Sequence, residues 1–289
     1  MDSATLIQTL LNSVVASSIY ALVAVGLALA FGVMKMANFA HGEFFMVGAY
    51  CVYVLYGLLG LPFPLAVVLA VPIVALLGLL TERFIFRPTR RNVLAGFMAT
   101  AGLAFVLQVA AGRIWGVGIA KGVPTPYAGT AEIGDANLGW QRLIIIPCAF
   151  AMLLALRYFL YRTKFGKALR ACAQDPEIAA LQGIRINRMT ALAMALAGAS
   201  AGLAGALMAP ILPVTPYIGH GVVLIAFIVV IVGGMASIEG AIIAAVLLGF
   251  IHTFVTTLAD NLIATMVGVV FMAVTLILRP KGIMGRERA

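Results

Sequence analysis

Long apolar runs, separated by short polar or charged segments, extend along almost the whole chain. An α-helix rises about 1.5 Å per residue, so about 20 apolar residues cross the ~30 Å hydrocarbon core of a bilayer. The runs without Asp, Glu, Lys or Arg occupy residues 3–34, 44–81, 92–112, 143–156, 189–238, 240–259 and 261–278. The pattern therefore predicts an all-α integral membrane protein, a polytopic helical bundle.

Two of these runs are too long for a single helix. Residues 189–238 would extend about 75 Å as one helix at about 1.5 Å per residue. Both this run and residues 44–81 have prolines near the middle, which interrupt helices. Dividing each run there, with a turn at residues 60–62, gives nine spans. The helix pair around residues 35–60 is the least regular, so eight spans remain an alternative, and broken or re-entrant helices are expected.

Composition excludes most classes of soluble protein. Of 289 residues, 63% are hydrophobic and 10% are charged, whereas an ordinary globular domain is about 45–50% apolar and about 25% charged. A soluble enzyme, a nucleic-acid-binding protein and a disordered chain are poor matches to these values. The sequence has no CxxC pair, no metal-ligand spacing and no GxxxxGK[ST] sequence for ATP binding. We therefore expect no catalytic residues, no metal and no cofactor on this chain.

The basic residues indicate how the spans are oriented. Fifteen of the 19 Lys and Arg residues lie in residues 82–91, in residues 157–188 and after residue 278. The nine-span count places these three segments on one side, which we assign to the cytoplasm because cytoplasmic loops are enriched in Lys and Arg. The C-terminus is then cytoplasmic, the N-terminus external, and residues of about 113–142 form an external loop. The net charge of +9 is thus sorted by membrane side.

Two breaks between apolar runs carry Gly and ionisable residues, one in each half of the chain. The first covers residues 38–43 and the second residues 233–240. Ionisable residues inside a membrane are costly and are functional by default, and paired interruptions are typical of transporters built from an internal repeat. Both breaks are also compatible with tight cytoplasmic turns, so their depth stays open. The candidate residues of a translocation path are Asn38, His41, Glu43, Ser237 and Glu239.

The longest cytoplasmic segment, at about residues 160–188, has a helical pattern of its own within a single membrane domain of residues 1–289. Apolar residues spaced i, i+3, i+4 and i+7 from Phe165 to Cys172 predict a short amphipathic helix opposite basic residues. Such a helix is expected to lie along the membrane surface.

A second, compact helix is predicted directly after it, at residues 176–182. Asp175 is a favourable N-cap, Pro176 fits the first helical position and Gly183 is a natural stop. Because so short a helix is marginal alone, we expect it to need a partner surface, with packing on its own bundle as the alternative. The residues expected to contact a partner ATPase are Asp175, Pro176, Glu177, Ile178, Ala179, Ala180, Leu181 and Gly183.

These residues, with others along the chain, resemble a known transporter family. Glu-x-Ala-Ala with a Gly six residues after the Glu is similar to the coupling helix of ABC-transporter permeases, with the alanines displaced by one position. The stretches that resemble LivH-type permeases, in order and over nearly the whole chain, are residues 26–34, 38–44, 48–50, 165–171, 174–177, 183–184 and 233–241. In the last stretch the family commonly has a Pro, and Glu239-Gly240 is a variant.

The resemblance implies a permease subunit of an importer for branched-chain amino acids in the bacterial inner membrane. In that family the importer has two different permeases, two ATPase subunits that bind the ATP, and a periplasmic solute-binding protein. The implied mechanism is alternating access, in which ATPase closure pushes on residues 176–182. Importers of urea and short-chain amides have similar permeases, so they remain an alternative. A stand-alone carrier or channel and an integral-membrane enzyme are further alternatives.

Overall fold

The computed structural model describes residues 2–134 and 136–285, which form a helical bundle with one β-hairpin. The helices are α1 (Ser3–Met34), α2 (His41–Val52), α3 (Phe63–Thr81), α4 (Arg87–Thr89), α5 (Val93–Trp115), α6 (Trp140–Arg162), α7 (Lys164–Gln174), α8 (Pro176–Leu181), α9 (Ile186–Met208), α10 (Ile218–Gly233), α11 (Ile238–Leu258) and α12 (Asn261–Leu278). The hairpin strands are β1 (Thr130–Ile133) and β2 (Ala136–Gly139), which pair antiparallel. Two π-helical turns extend α2 through Tyr53–Leu58 and join α3 to α4 through Glu82–Phe86.

Seven helical segments in the described residues are long and apolar enough to cross a membrane, counting α3 to α4 as one. α10 is apolar but has only 16 residues, and α2 has only 12 before its π-helical turn. A polytopic helical membrane protein is therefore confirmed, whereas the predicted count of eight or nine spans is not. The reason is that residues 35–40 and 209–217 are not helical, which shortens the helices that follow them.

α1 lies at the centre of the bundle. It packs against α6, α9, α10 and α11, and 72% of its most apolar 18-residue stretch is buried inside the bundle. Small residues permit these contacts: Gly26 lies against Ser200 of α9, and Gly249 of α11 lies against Ser17. Such residues allow helix axes to approach closely. The most apolar 18-residue stretches of α5 and α12 are only 17% and 11% buried, so these helices lie at the periphery of the bundle.

One end of the bundle gathers the segments that the basic residues predicted to be cytoplasmic. Ile283 N donates to Val232 O at 2.8 Å and Met284 N to Gly233 O at 3.1 Å, which packs residues 283–284 against the end of α10, where the turn to α11 begins. Ala236 in that turn lies beside Gly32 near the end of α1. The guanidinium of Arg170 in α7 lies over the ring of Tyr161, near the end of α6. These elements therefore share one end of the bundle.

The segment predicted as an external loop covers the opposite end and is structured. Lys121 and Val214 exchange two backbone hydrogen bonds of 2.9 Å, which join this segment to the connection between α9 and α10. Gln141 Nε2 donates to Leu207 O at 2.9 Å, and β2 packs against α1. The predicted turn at residues 60–62 lies between α2 and α3, where Gly60 adopts a φ of 68°.

Candidate functional site

The break between α1 and α2 folds back into the bundle. After α1, Lys35 adopts a φ of 57° and its N–H bonds to Phe31 O at 2.8 Å, which reverses the chain. His41, the first residue of α2, has its Nε2 3.0 Å from Val23 O. Val23 precedes the last residue of α1, Met34, by eleven residues, or about 16 Å along the helix. The break therefore lies beside the middle of α1 and not at its end.

Asn38 stabilises this break through a hydrogen bond of its side chain to the backbone. Its Oδ1 accepts from Ala40 N at 3.1 Å, a local turn that Asn side chains favour. The neighbouring Phe39 N donates to Thr100 Oγ1 of α5 at 3.3 Å. Asn38 and His41 are both 0% exposed, and Asn38 Nδ2 and His41 Nδ1 have no hydrogen-bond partner among the described residues. Both side chains are thus buried inside the bundle, and their hydrogen bonds hold the start of α2 in place.

Glu43 joins two side chains from distant parts of the sequence. Gln108 Nε2 of α5 donates to Glu43 Oε1 at 2.7 Å and lies 2.5 Å from His220 Nε2 of α10. Glu43 and Gln108 are 1% and 5% exposed, whereas His220 is exposed. Because the amide nitrogen carries two hydrogens, it satisfies both contacts when His220 Nε2 accepts. These three residues, which we call the Glu43 cluster, connect the interior of the bundle to its surface.

Two glycines bring the start of α2 against the start of α10. A Cβ at Gly219 would lie 2.5 Å from Gly42 O, and a Cβ at Gly42 would lie 2.8 Å from the Cβ of Val223. Only glycine fits at both positions without a shift. Glu43 and His220 are each the third residue of their helix, so these two members of the Glu43 cluster lie in the first turns of α2 and α10. Helix N-termini carry partial positive charge, which favours a carboxylate at this position.

Three aromatic rings line the same side of the bundle, closer to the end that carries α7. The ring of Phe39 lies 4.3 Å from that of Phe97 in α5 and 5.0 Å from that of Phe227 in α10. Phe97 is 41% exposed. Phe227 follows His220 by seven residues, or about 10 Å of helix. This side of α5 and α10 therefore presents a polar cluster followed by an apolar one, which we call the aromatic cluster.

The second predicted break, residues 233–240, forms a compact turn between α10 and α11. Ser237 Oγ accepts from Gly240 N at 3.0 Å and thereby caps α11. Glu239 accepts a hydrogen bond from the hydroxyl of Tyr161 in α6. The guanidinium carbon of Arg170 lies 4.5 Å from the centre of the Tyr161 ring. Glu239 is thus part of a contact between this turn and the segment leading to α8.

The structure does not bring the two predicted breaks together. Ala236 of the second break lies beside Gly32, nine residues beyond Val23 on α1 and therefore about 13 Å from the level of the first break. The first break meets the start of α10 instead, through Gly42 and Gly219. Ser237 and Glu239 accordingly lie near the end of the bundle, apart from the Glu43 cluster.

α8 begins as the sequence predicts and ends one residue earlier than expected. Asp175 Oδ1 accepts from the N–H groups of Glu177 and Ile178 at 2.8 and 3.0 Å. Pro176 occupies the first helical position, where its missing N–H is not needed. The helix ends at Leu181, and Gly183, two residues later, has a φ of 78°, which turns the chain away from the helix. Local sequence therefore sets both ends of α8.

α8 buries one small side chain and leaves its larger apolar ones in the open. Ala179 is 3% exposed and faces the bundle, where α8 contacts α7 and α9. Ile178 is 59% exposed and Leu181 is 86% exposed. A helix of six residues depends on packing for its stability. Because Ile178 and Leu181 remain exposed within this chain, they form an apolar surface at the end of the bundle.

A buried carboxylate fixes the start of α9, which directly follows α8. Glu82 is 0% exposed and accepts from Thr190 Oγ1 of α9 at 2.8 Å. Arg87 and Arg90 lie 2.9 and 3.3 Å from its two oxygens. In the described residues, no group of three or more His, Cys, Asp or Glu side chains forms a site for a metal ion. The hydrogen bond and the two ion pairs of Glu82 hold the π-helical turn after α3, α4 and the start of α9 together.

A family model described as the permease component of branched-chain amino acid transport systems matches residues 9–279. The chain belongs to this permease family. The high-affinity branched-chain amino acid transport permease protein BraD of Pseudomonas aeruginosa is 30% identical over 97% of this chain and 96% of its own length. LivH of Escherichia coli has the same identity and coverage. A probable LivH of Methanocaldococcus jannaschii is 27% identical over 95% of this chain and 91% of its own length. No solved structure matches the chain.

Sequence reasoning missed two residues of the Glu43 cluster in this permease. Gln108 lies alone among apolar residues in the run at 92–112, and His220 lies in the uncharged run at 189–238. Polar side chains placed deep in a span are costly, which is the signal that would have singled them out. Their contact with Glu43, however, is set by the packing of α2, α5 and α10.

Proposed function

We propose that this chain is a membrane-spanning permease subunit of an ABC importer that moves branched-chain amino acids across the bacterial inner membrane. Membership of the permease family and the names of the relatives BraD and LivH support this substrate class. The single observation that carries a transport role is the Glu43 cluster, which ends at the exposed His220. An ionisable side chain at such depth does not face lipid, so His220 faces a water-filled path or a partner subunit.

The translocation path runs along the side formed by the start of α2, α5 and α10. α5 is largely unburied, which leaves this side free to contact a second, homologous permease that completes the path. The Glu43 cluster supplies polar groups, and the aromatic cluster supplies apolar surface closer to the end of the bundle that carries α7. A branched-chain amino acid has a polar backbone and an apolar side chain, so both parts of this surface suit it. Asn38 and His41 hold Glu43 in position.

ATP-driven movement enters the permease through α8. The exposed Ile178 and Leu181 fit an apolar groove on one of two partner ATPase subunits, and this chain supplies no ATP-binding loop of its own. Movement of α8 passes to α7 and α9, with which it packs. The contacts of Tyr161 with Arg170 and Glu239 connect α7 to the turn between α10 and α11. This connection tilts α10 and thereby opens the path alternately to each side.

Two short helices complete the proposed arrangement in the membrane. α2 with its π-helical turn and α10 lie within the bilayer beside the seven longer segments, giving nine in total. Each follows a non-helical break and carries an ionisable residue at its third position, which supports an internal repeat. The C-terminus lies in the cytoplasm with α7 and α8. A periplasmic binding protein delivers the amino acid at the opposite end, beside residues 113–142.

Affinity purification in mild detergent, followed by reconstitution into liposomes, tests the proposal. We expect two ATPase subunits and a second permease to co-purify. We also expect labelled leucine to enter the liposomes only with ATP and the binding protein. Leucine uptake without ATP would instead indicate a stand-alone carrier. ATP-dependent uptake of urea or acetamide but not of leucine would overturn the substrate class.

A further inference from the structure

One nitrogen atom in the Glu43 cluster lies between a carboxylate oxygen and an imidazole nitrogen. Gln108 Nε2 lies 2.7 Å from Glu43 Oε1 and 2.5 Å from His220 Nε2. It therefore occupies a point where any group with several N–H donors finds a carboxylate oxygen and an imidazole nitrogen together. The amide nitrogen is neutral, so it does not balance the negative charge of Glu43 when this carboxyl group is ionised.

A third acceptor in the cluster remains unsatisfied. Glu43 Oε2 is buried and has no hydrogen-bond partner among the described residues. A buried acceptor without a partner costs about 1–3 kcal/mol, and more for a charged group. The first turns of α2 and α10 favour the ionised carboxylate, but neither places a donor on this oxygen. The cluster thus lacks both a donor and a positive charge.

We propose that the Glu43 cluster is a binding subsite for the α-ammonium group of the transported amino acid. This inference rests on the proposed function. An ammonium group has three N–H donors and a full positive charge, which match Glu43 Oε1, Glu43 Oε2 and His220 Nε2. On binding, it displaces the amide of Gln108, which holds the same two acceptors in the unliganded state. His220 is exposed and gives access from the path.

The surroundings of the cluster fit the rest of an amino acid of this class. The aromatic cluster begins about two helical turns, or about 10 Å, from His220 along α10, so it offers apolar contact to a branched side chain farther along the path. Gly42, Gly219 and Gly221 place no side chain beside the cluster. The subsite therefore recognises the backbone amine, while Phe39, Phe97 and Phe227 contact the apolar side chain at the next position along the path.

Competition binding to the purified importer, without its binding protein, tests this assignment. In this assay, labelled leucine at millimolar concentration competes with unlabelled probes, each of which lacks one of the two charged groups of leucine. We expect leucinol, which retains the amine but lacks the carboxylate, to compete. We expect 2-hydroxy-4-methylpentanoate, which retains the carboxylate but lacks the amine, to compete at least about tenfold more weakly. Equal competition by the hydroxy acid would overturn the proposal.

Two substitutions separate binding from a merely structural role. Glu43→Gln keeps the shape of the side chain and is expected to weaken leucine binding about tenfold or more. Gln108→Met removes the competing donor but keeps the carboxylate, and is expected to weaken leucine binding much less than Glu43→Gln does, whereas loss of structure would weaken both variants alike. Glu132→Gln, at an exposed position of the hairpin, is the matched control and should bind normally. If Glu43→Gln fails to fold, the probe series and Gln108→Met decide the outcome.

ATP-dependent leucine uptake, measured on the same preparations, keeps the two proposals apart. Uptake by the natural protein together with unchanged binding by Glu43→Gln would refute the ammonium subsite alone. Absence of ATP-dependent uptake by the natural protein would refute the proposed function. Uptake by the natural protein with weakened binding and uptake in Glu43→Gln supports both.

Discussion

Replacing Asp175 by Ala removes the cap of α8 and is expected to uncouple ATP hydrolysis from uptake. The Asp175 carboxylate satisfies two backbone N–H groups of α8, at 2.8 and 3.0 Å. Loss of such an N-cap costs roughly 0.5–2 kcal/mol. The side chain lies at the end of the bundle and touches no residue of the Glu43 cluster, so the change acts on α8 alone.

The size of the effect follows from the length of α8. A helix of six residues has little stability of its own, so the loss of the cap acts directly on the population of ordered α8. A change of about 0.5–2 kcal/mol shifts the ratio of ordered to disordered helix about 2–30-fold. We therefore expect ATP-dependent leucine uptake to fall about twofold or more, while the amount of folded protein stays the same.

Uptake into liposomes and ATP hydrolysis, measured in parallel, detect the uncoupling. Asp175→Asn retains the capping oxygen and should restore most of the uptake, because Asn and Asp are similar N-caps. Asp260→Ala is the matched control, since Asp260 caps α12 through Ile263 N at 2.8 Å. α12 has 18 residues, so the same loss should leave its helix and the uptake largely intact.

Two results would refute this reasoning. Normal uptake by Asp175→Ala would show that ordered α8 is not needed for coupling. Equal losses in Asp175→Ala and Asp175→Asn would show that the charge of the residue matters and not its capping bond.

Three further predictions concern the buried clusters and the path. Glu82→Ala should lower stability by about 2 kcal/mol, because it removes the partner of two partly exposed guanidinium groups and of Thr190; thermal unfolding in detergent measures this loss, and Arg91→Ala, an exposed change in the same segment, should have little effect. Gly42→Ala should destabilise by about 1–3 kcal/mol through overlap with α10. Gly102→Ala, where a Cβ meets nothing within 4 Å, should be neutral or slightly stabilising, and equal stability of these two variants would contradict the close approach of α2 and α10. His220→Cys, in a background without the natural cysteines, should react with a charged, membrane-impermeant thiol reagent in the assembled importer; reaction with a lipid-soluble maleimide alone would place position 220 against lipid.

The structures of short segments depend on neighbouring residues and were accessible from the sequence. Asp175, Pro176 and Gly183 act through cap, dihedral angle and turn within a few residues of α8. The turn at Gly60 has the same local origin. These elements lie where they were predicted because no distant contact has to be known to place them.

Depth and pairing inside the bundle were not accessible in this way. Hydropathy counts apolar residues but does not show that the chain turns back after Lys35, so the break at residues 38–43 had no assigned level. The expected partner of that break was residues 233–240, since both contain Gly and Glu. The observed partner is the start of α10, which follows residues interpreted only as a divider between two spans.

The sequence by itself determined that this is a polytopic helical membrane protein with a short capped helix at one end, because burial of apolar residues in a bilayer and local capping act along the chain. Only the tertiary structure decided the Glu43 cluster. Glu43 and His220 lie 65 and 112 residues from Gln108 along the chain. The three side chains meet because close packing at Gly42 and Gly219 sets the relative depth of α2, α5 and α10. Contacts between helices depend on the shapes of both surfaces, which no single apolar run encodes.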